Sequence, residues 1–135
     1  MASSKYDVLG IGNAIVDVIA FTEDDFLLSH ELVKGSMLLI DEAQAEKLYH
    51  SMGPATIISG GSAANTIAGV ASLGGSGSFI GKVREDGLGQ AFTHDIRAMG
   101  VHFETNPAST GPATARSFIL VTPDGERTMN TFCLL

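Results

Sequence analysis

The stretch SGGSAANTIAGVA, residues 59–71, decides the fold because it joins a glycine pair to the start of an apolar helix. Gly60 and Gly61 carry no Cβ, so a ligand can approach their backbone N–H groups closely. The small residues that follow predict a helix from 62 to 73, whose first N–H groups have no partner within the helix. Asn65, about one turn inside, offers both a donor and an acceptor. The stretch therefore predicts a cradle for a polar, uncharged ligand rich in hydroxyl groups.

Strand and helix patterns alternate outward from this stretch. Strands are predicted at 6–11, 15–21, 36–40, 56–59, 78–83 and 101–103, and helices at 24–28, 41–51, 62–73 and 86–99. The order strand, helix, strand, helix, strand from residue 56 onward is typical of a mainly parallel sheet, so the fold class is α/β. Residues 113–132 differ, because two alternating runs flank the turn PDGE at 123–126 and predict a hairpin.

Composition restricts the class of protein. The chain has 135 residues, of which 44% are hydrophobic and 17% charged, with a mean hydropathy of +0.23, and it fits one domain. A net charge of −7 with scattered Lys and Arg argues against a nucleic-acid partner. The longest apolar run, 8–21, is interrupted by Asn13 and Asp17 and is too short to span a membrane. A single cysteine, Cys133, and the lack of a signal-peptide pattern favour the cytoplasm, and the four histidines show no metal-ligand spacing.

Asn13 and Asp17 follow the first predicted strand and are four residues apart. They could converge on one ligand at the carboxyl edge of the sheet, where a carboxylate can accept hydrogen bonds from two neighbouring hydroxyl groups of a sugar. The alternative is a turn-stabilising Asn and an Asp on a strand edge. The glycine pair can equally be a plain helix entry, and Arg127 a solvated arginine beside the hairpin turn. A dinucleotide fingerprint is only weakly matched at residues 10–15, because the third glycine is missing and no helix follows.

Four fragments in this order resemble the N-terminal half of a PfkB-type (ribokinase-like) carbohydrate kinase, and within that family the adenosine kinases. They are GIGNAIVD at 10–17, GGSAANT at 60–66, GKVREDGLG at 81–89 and PDGERT at 123–128. The resemblance runs from Asp7 to about Phe132. It implies a ribokinase-like three-layer core with a mainly parallel sheet, here partial, and a small β-sheet lid formed by segments at about 15–40 and 110–132.

The resemblance also implies a site for the ribose of a nucleoside. In that site Asp17 would accept hydrogen bonds from the ribose hydroxyls, Leu38 would lie against the base or the sugar, and Arg127 would meet the transferred phosphate. The implied substrate-binding residues are Asn13, Asp17, Leu38, Gly60, Gly61, Ser62, Asn65 and Arg127.

The family's chemistry is transfer of the γ-phosphoryl group of Mg²⁺-bound ATP to a sugar hydroxyl. Its catalytic aspartate and phosphate-binding helix belong to a second signature of the Gly-Ala-Gly-Asp type. Residues 74–78, GGSGS, supply no aspartate in the required place. We therefore expect the C-terminal ATP-binding part to be absent, this chain to hold no catalytic residue or metal ligand, and ATP and Mg²⁺ to serve only the full-length enzyme. The apolar tail at 132–135 also predicts a shortened chain that self-associates through its lid or an exposed sheet edge.

Three functions remain open at this point. The first is the substrate-binding half of an enzyme of purine salvage that phosphorylates adenosine at the ribose 5'-hydroxyl, inactive by itself. The second is a kinase for a plain sugar such as ribose or fructose, against which the apolar run 36–40 favours a nucleobase. The third is a non-catalytic, dimeric ligand-binding module.

Overall fold

The structure is a computed structural model that describes residues 3–133. Its elements alternate along the chain much as the sequence patterns predict. In chain order they are β1 (Val8–Ile11), β2 (Ile15–Phe21), α1 (Asp24–Ser29), β3 (Met37–Leu39), α2 (Glu42–Ser51), β4 (Thr56–Gly60), α3 (Ser62–Ser72), β5 (Gly77–Ile80), α4 (Gly87–Ala98), β6 (Ala115–Val121) and β7 (Arg127–Phe132).

The strands form two sheets. β1 and β5 pair in parallel, with Val8 opposite Gly77 and Ile11 opposite Ile80, and we call them the parallel pair. The other strands form a five-stranded sheet in the order β3-β7-β6-β2-β4. In this sheet β2–β6 and β3–β7 are parallel, whereas β2–β4 and the β6–β7 hairpin are antiparallel. The predicted α/β class is confirmed.

Three details differ from the sequence-based expectation. β4, expected in the parallel series, pairs antiparallel with β2 and adds a strand to the second sheet beyond the segments 15–40 and 110–132. β5 ends at Ile80, and residues 101–103 contribute only an isolated bridge between Ser78 and His102. Short apolar runs of this kind do not specify their partner strand, because pairing depends on residues distant in the chain.

Two apolar cores hold these layers together. α3 packs on the parallel pair, and Phe79 of β5 meets Phe92 of α4 and Phe103, with ring centroids 5.4–5.9 Å apart. A second core lies between one face of the five-stranded sheet and the helices α1 and α2. Its buried members are Val18, Ala20, Leu27, Ala45, Leu48, Phe118, Leu120 and Phe132. Across residues 3–133 we find no helix with the length and apolar character needed to cross a bilayer.

Candidate functional site

The five-stranded sheet presents one face to α1 and α2 and one open face. In β2 the residues Val16, Val18 and Ala20 are buried, whereas Asp17 lies on the other side and is only half-buried. This alternation follows from the two-residue period of a strand. The strand register places one row of residues across the open face. The row reads Ile58, Asp17, Ser117, Thr131 and Leu39.

Asp17 lies directly beside the glycine pair. A Cβ added to Gly60 would stand 2.5 Å from Oδ2 and 2.8 Å from Oδ1 of Asp17, so the carboxylate occupies the space that any side chain at position 60 would need. Burial raises the pKa of Asp17 above its usual value. No side chain among residues 3–133 donates a hydrogen bond to this carboxylate. Both oxygens therefore remain available as acceptors for hydroxyl groups of a ligand.

Gly61 forms the turn from β4 into α3. Its φ of +96° belongs to the left-handed region, and a Cβ there would lie 2.8 Å from the carbonyl oxygen of Asn13. Position 61 therefore requires glycine for two reasons: the backbone conformation is left-handed, and there is no space for a Cβ. Gly61 is the N-cap of the eleven-residue α3 and supplies no capping side chain, so the first helical N–H groups are free for a ligand.

The structure brings together most of the predicted residues at this corner. Asn13, Asp17, Gly60 and Gly61 are neighbours through the contacts just described. Ser62 is the first residue of α3, and Asn65 lies one turn further, where its N–H donates to the carbonyl of Gly61 at 2.8 Å. Both side chains are exposed.

Leu38 lies on the opposite face from Asp17. It is paired with Asn130 of β7, and Asn130 belongs to the buried side of the sheet. Its neighbour Leu39 is paired with Thr131 and shares the row of Asp17, with 73% of its surface exposed. A shift of one residue along a strand reverses the face. In the run 36–40, Leu39 and Met37 therefore share the face of Asp17, whereas Leu38, predicted as a site residue, does not.

Arg127 shares the open face with Asp17 but stands at its far end. It is paired with Val121, which in turn lies beside Phe21, the last residue of β2. Along β7 it is four residues from Thr131 in the row of Asp17, a separation of roughly 13 Å at the usual rise of a strand. The structure therefore does not bring Arg127 into direct contact with the corner at Asp17 and Gly60.

A cavity of about 630 Å³ adjoins the same corner at Asn13. It lies at the carboxyl ends of β1 and β5, where open α/β sheets bind ligands. Lys82 and Arg84 line it, and neither residue was predicted as part of a site from the sequence. The fragment GKVR at 81–84 could have indicated this pair. Its Lys and Arg are two residues apart, so in an extended chain both side chains lie on the same side.

Comparison with protein families identifies a match over residues 7–133 to the model described as pfkB family carbohydrate kinase. Among curated proteins, Adenosine kinase 2 of Arabidopsis thaliana is 29% identical over 121 residues, which are 82% of this chain and 35% of that protein.

Two solved structures resemble the whole described fold. The adenosine kinase from Sinorhizobium meliloti is 61% identical, with a TM-score of 0.84 over 96% of this chain and 39% of that chain. The probable sugar kinase protein from Rhizobium etli CFN 42 is 55% identical, with a TM-score of 0.85 over the same shares. The chain thus spans little more than a third of the length of these proteins.

Proposed function

The chain belongs to the pfkB family of carbohydrate kinases, and we propose that it is the nucleoside-binding part of a kinase that phosphorylates adenosine at the ribose 5'-hydroxyl. The observation that carries this proposal is the Asp17 carboxylate lying against Gly60 at the entrance of an uncapped helix. Adenosine kinases among its relatives support the choice of substrate.

In this proposal Asp17 binds the ribose diol. Its two oxygens accept from the 2'- and 3'-hydroxyls, while the free N–H groups at the start of α3 and the amide of Asn65 bind the sugar from the other side. Leu39 and Ile58, the apolar members of the same row, flank the ligand and reduce the access of water. A carboxylate that is half-buried before binding loses little further hydration when the sugar replaces the remaining water.

We propose that residues other than those of this chain position ATP and Mg²⁺. No group of three or more His, Cys, Asp or Glu side chains in the described part of the chain is arranged to hold a metal ion. The sequence also contains no glycine-rich segment with an aspartate suited to accept the hydroxyl proton. We therefore assign no catalytic step to these residues, and we propose that the 135-residue chain alone binds nucleoside without transferring phosphate.

Calorimetric titration of the chain with adenosine, 2',3'-dideoxyadenosine and ribose tests the proposal. We expect adenosine to bind, dideoxyadenosine to bind at least about tenfold more weakly because the carboxylate loses its donors, and ribose to bind weakly without the base. The variant Asp17→Asn should remove the difference between the first two ligands, and Asp25→Asn, an exposed residue on α1, should not. Equal affinities of the wild-type chain for adenosine and dideoxyadenosine would refute the role of Asp17.

A plain sugar is the second candidate substrate, favoured by the likeness to the probable sugar kinase of Rhizobium etli. The same titration, extended to fructose, decides between them, since ribose or fructose would then bind as tightly as adenosine. Incubation of the chain with Mg²⁺-ATP and adenosine completes the test. Formation of AMP by this chain alone would contradict our assignment of catalysis to other residues.

A dimeric, non-catalytic module is the third candidate. The edge strands β3 and β4 and the exposed side chains of Phe21 and Leu39 favour association of two chains through the five-stranded sheet. Its test is the mass of the chain in solution. A discrete dimer that binds no nucleoside would support this candidate and contradict the first.

A further inference from the structure

The cavity next to Asn13 is lined by positive charge, whereas the chain as a whole is acidic. Its lining includes two cationic side chains, Lys82 and Arg84, and no Asp or Glu. The whole chain has 15 acidic residues against 8 Lys and Arg, a net charge of −7. A positive cavity on an acidic protein concentrates anions locally, and walls of low dielectric strengthen that effect.

The surrounding contacts leave Lys82 free and fix Arg84. Lys82 is exposed and forms no ion pair within residues 3–133. The guanidinium of Arg84 donates to the carbonyl of Gly111, and its backbone N–H donates to Oγ1 of Thr114 at 2.9 Å. The arginine is therefore held at the cavity wall, while the lysine retains three donors for a ligand.

The carboxylate of Asp86 is engaged by other groups. Asp86 follows two residues after Arg84 and does not line the cavity. Its oxygens accept from the N–H and the hydroxyl of Thr114, at 2.9 and 2.7 Å, and from the N–H of Gly89 at 2.7 Å. These bonds hold Asp86 at the start of α4, where its oxygens are occupied by other donors.

Part of the cavity lining consists of closely packed backbone at Gly12 and Gly81. A Cβ added to Gly81 would lie 2.8 Å from the carbonyl oxygen of Gly12, so the chain segments that leave β5 and β1 touch each other. Asn13 follows directly and is shared by the cavity and the corner that holds Asp17 and Gly61. The cavity and the corner are therefore adjacent, with Asn13 between them.

We propose that this cavity is an anion subsite that receives the phosphate monoester of a phosphorylated nucleoside or sugar, through Lys82 and Arg84. The proposal deepens the proposed function and rests on it, because the phosphate is the one group that the product of such a kinase has and its substrate lacks. The site binds the product more tightly than the neutral substrate. A volume of about 630 Å³ accommodates a nucleotide-sized group.

Titration calorimetry with AMP and with adenosine measures the subsite. At low salt we expect the wild-type chain to bind AMP about tenfold more tightly than adenosine, as befits a charged hydrogen bond to phosphate, with an affinity that falls as salt is added. Lys82→Gln should abolish that advantage and leave adenosine binding unchanged. The matched control is Lys47→Gln, which removes one exposed positive charge from α2.

A second measurement separates this inference from the proposed function. Pyrophosphate, an anion without sugar or base, is titrated while the backbone amide NMR signals of residues 12–13 and 81–84 are followed. We expect these signals to shift in wild type and in Lys47→Gln, and to remain unchanged in Lys82→Gln. No shift in the wild-type chain overturns the subsite whether or not adenosine binds, and shifts without adenosine binding retain the subsite and refute the nucleoside proposal.

Discussion

The parallel pair and the five-stranded sheet use their apolar residues in different ways. In the parallel pair, β5 is buried over Gly77 to Phe79, and the Phe79 ring joins Phe92 and Phe103 in one aromatic cluster. In β2 of the five-stranded sheet, buried residues alternate with half-buried or exposed ones, so Asp17 lies on the open face in a row with Ser117 and Thr131. The apolar residues of the parallel pair therefore stabilise the fold, whereas the open face of the five-stranded sheet leaves polar groups available to a ligand.

The largest expected effect is the loss of stability when a substitution disrupts the aromatic cluster. Phe92→Ala removes a fully buried ring from contact with Phe79 and Phe103, and should lower the free energy of unfolding by about 3–5 kcal/mol. Urea unfolding followed by circular dichroism measures the loss. Phe21→Ala, at a site 84% exposed on the five-stranded sheet, is the matched control and should stay within about 0.5 kcal/mol of wild type. Equal losses in the two variants would remove the distinction between the regions.

The next effect concerns the contact between Asp17 and the glycine pair. Gly60→Ala forces a methyl group into the position of the carboxylate, and should cost about 1–3 kcal/mol of stability together with nucleoside binding. Gly53→Ala is the control, because a Cβ there meets nothing within 4 Å. Denaturant unfolding and calorimetry on both variants check the prediction. The prediction is wrong if Gly60→Ala and Gly53→Ala have the same stability and the same affinity for nucleoside.

A smaller effect follows from the pKa of Asp17, which burial raises. The folded chain then holds this proton more tightly than the unfolded chain. The contribution of Asp17 to stability should therefore fall as pH rises from the ordinary carboxyl range near about 4 through the raised pKa of this group. Asp17→Asn lacks this loss, so its stability relative to wild type should rise across that interval.

Urea unfolding at several pH values between about 4 and 8 measures this difference. The control Asp25→Asn removes a carboxylate from an exposed site on α1. We expect the stability difference between Asp17→Asn and wild type to grow with pH and then level off. A difference that shrinks as pH rises would contradict a raised pKa.

The smallest effect tests how β4 is held next to β2. The backbone N–H of Ser59, on the outer side of this edge strand, donates to Oδ2 of Asp95 on α4 at 3.0 Å. Asp95→Ala should speed hydrogen exchange of the Ser59 amide by about fivefold, the effect of losing a hydrogen bond worth roughly 1 kcal/mol. Gln90→Ala, on the same helix, should leave it unchanged. An unaltered Ser59 exchange rate in Asp95→Ala would show that other contacts position β4.

Much of the fold could be predicted from local patterns. Asp41 was expected to start a helix, and it caps α2 by accepting from the N–H of Gln44 at 2.7 Å. The hairpin around residues 123–126 and the helix after Gly61 also lie where their turn residues predict them. These features depend on neighbours within a few residues, which is the range over which capping and turn chemistry act.

The candidate site could be predicted only in part. The glycine pair and Asp17 carry recognisable chemistry, and the structure places them side by side. The choice of Leu38 in place of Leu39 shows the limit, since both are apolar and only pairing with β7 determines which one shares the face of Asp17. The roles we propose for these residues remain predictions for the binding experiments.

The sequence by itself determined the type and order of most elements, the glycine turn into α3 and the acidic character of the chain. Only the tertiary structure decided that β4 joins the second sheet, that Leu39 faces the row of Asp17, and that Lys82 and Arg84 meet Asn13 at one cavity. The physical reason is the sequence distance over which each interaction acts. Periodicity and capping are set by adjacent residues, whereas strand partner and register are set by packing between distant segments, and one residue of register exchanges the two faces of a strand.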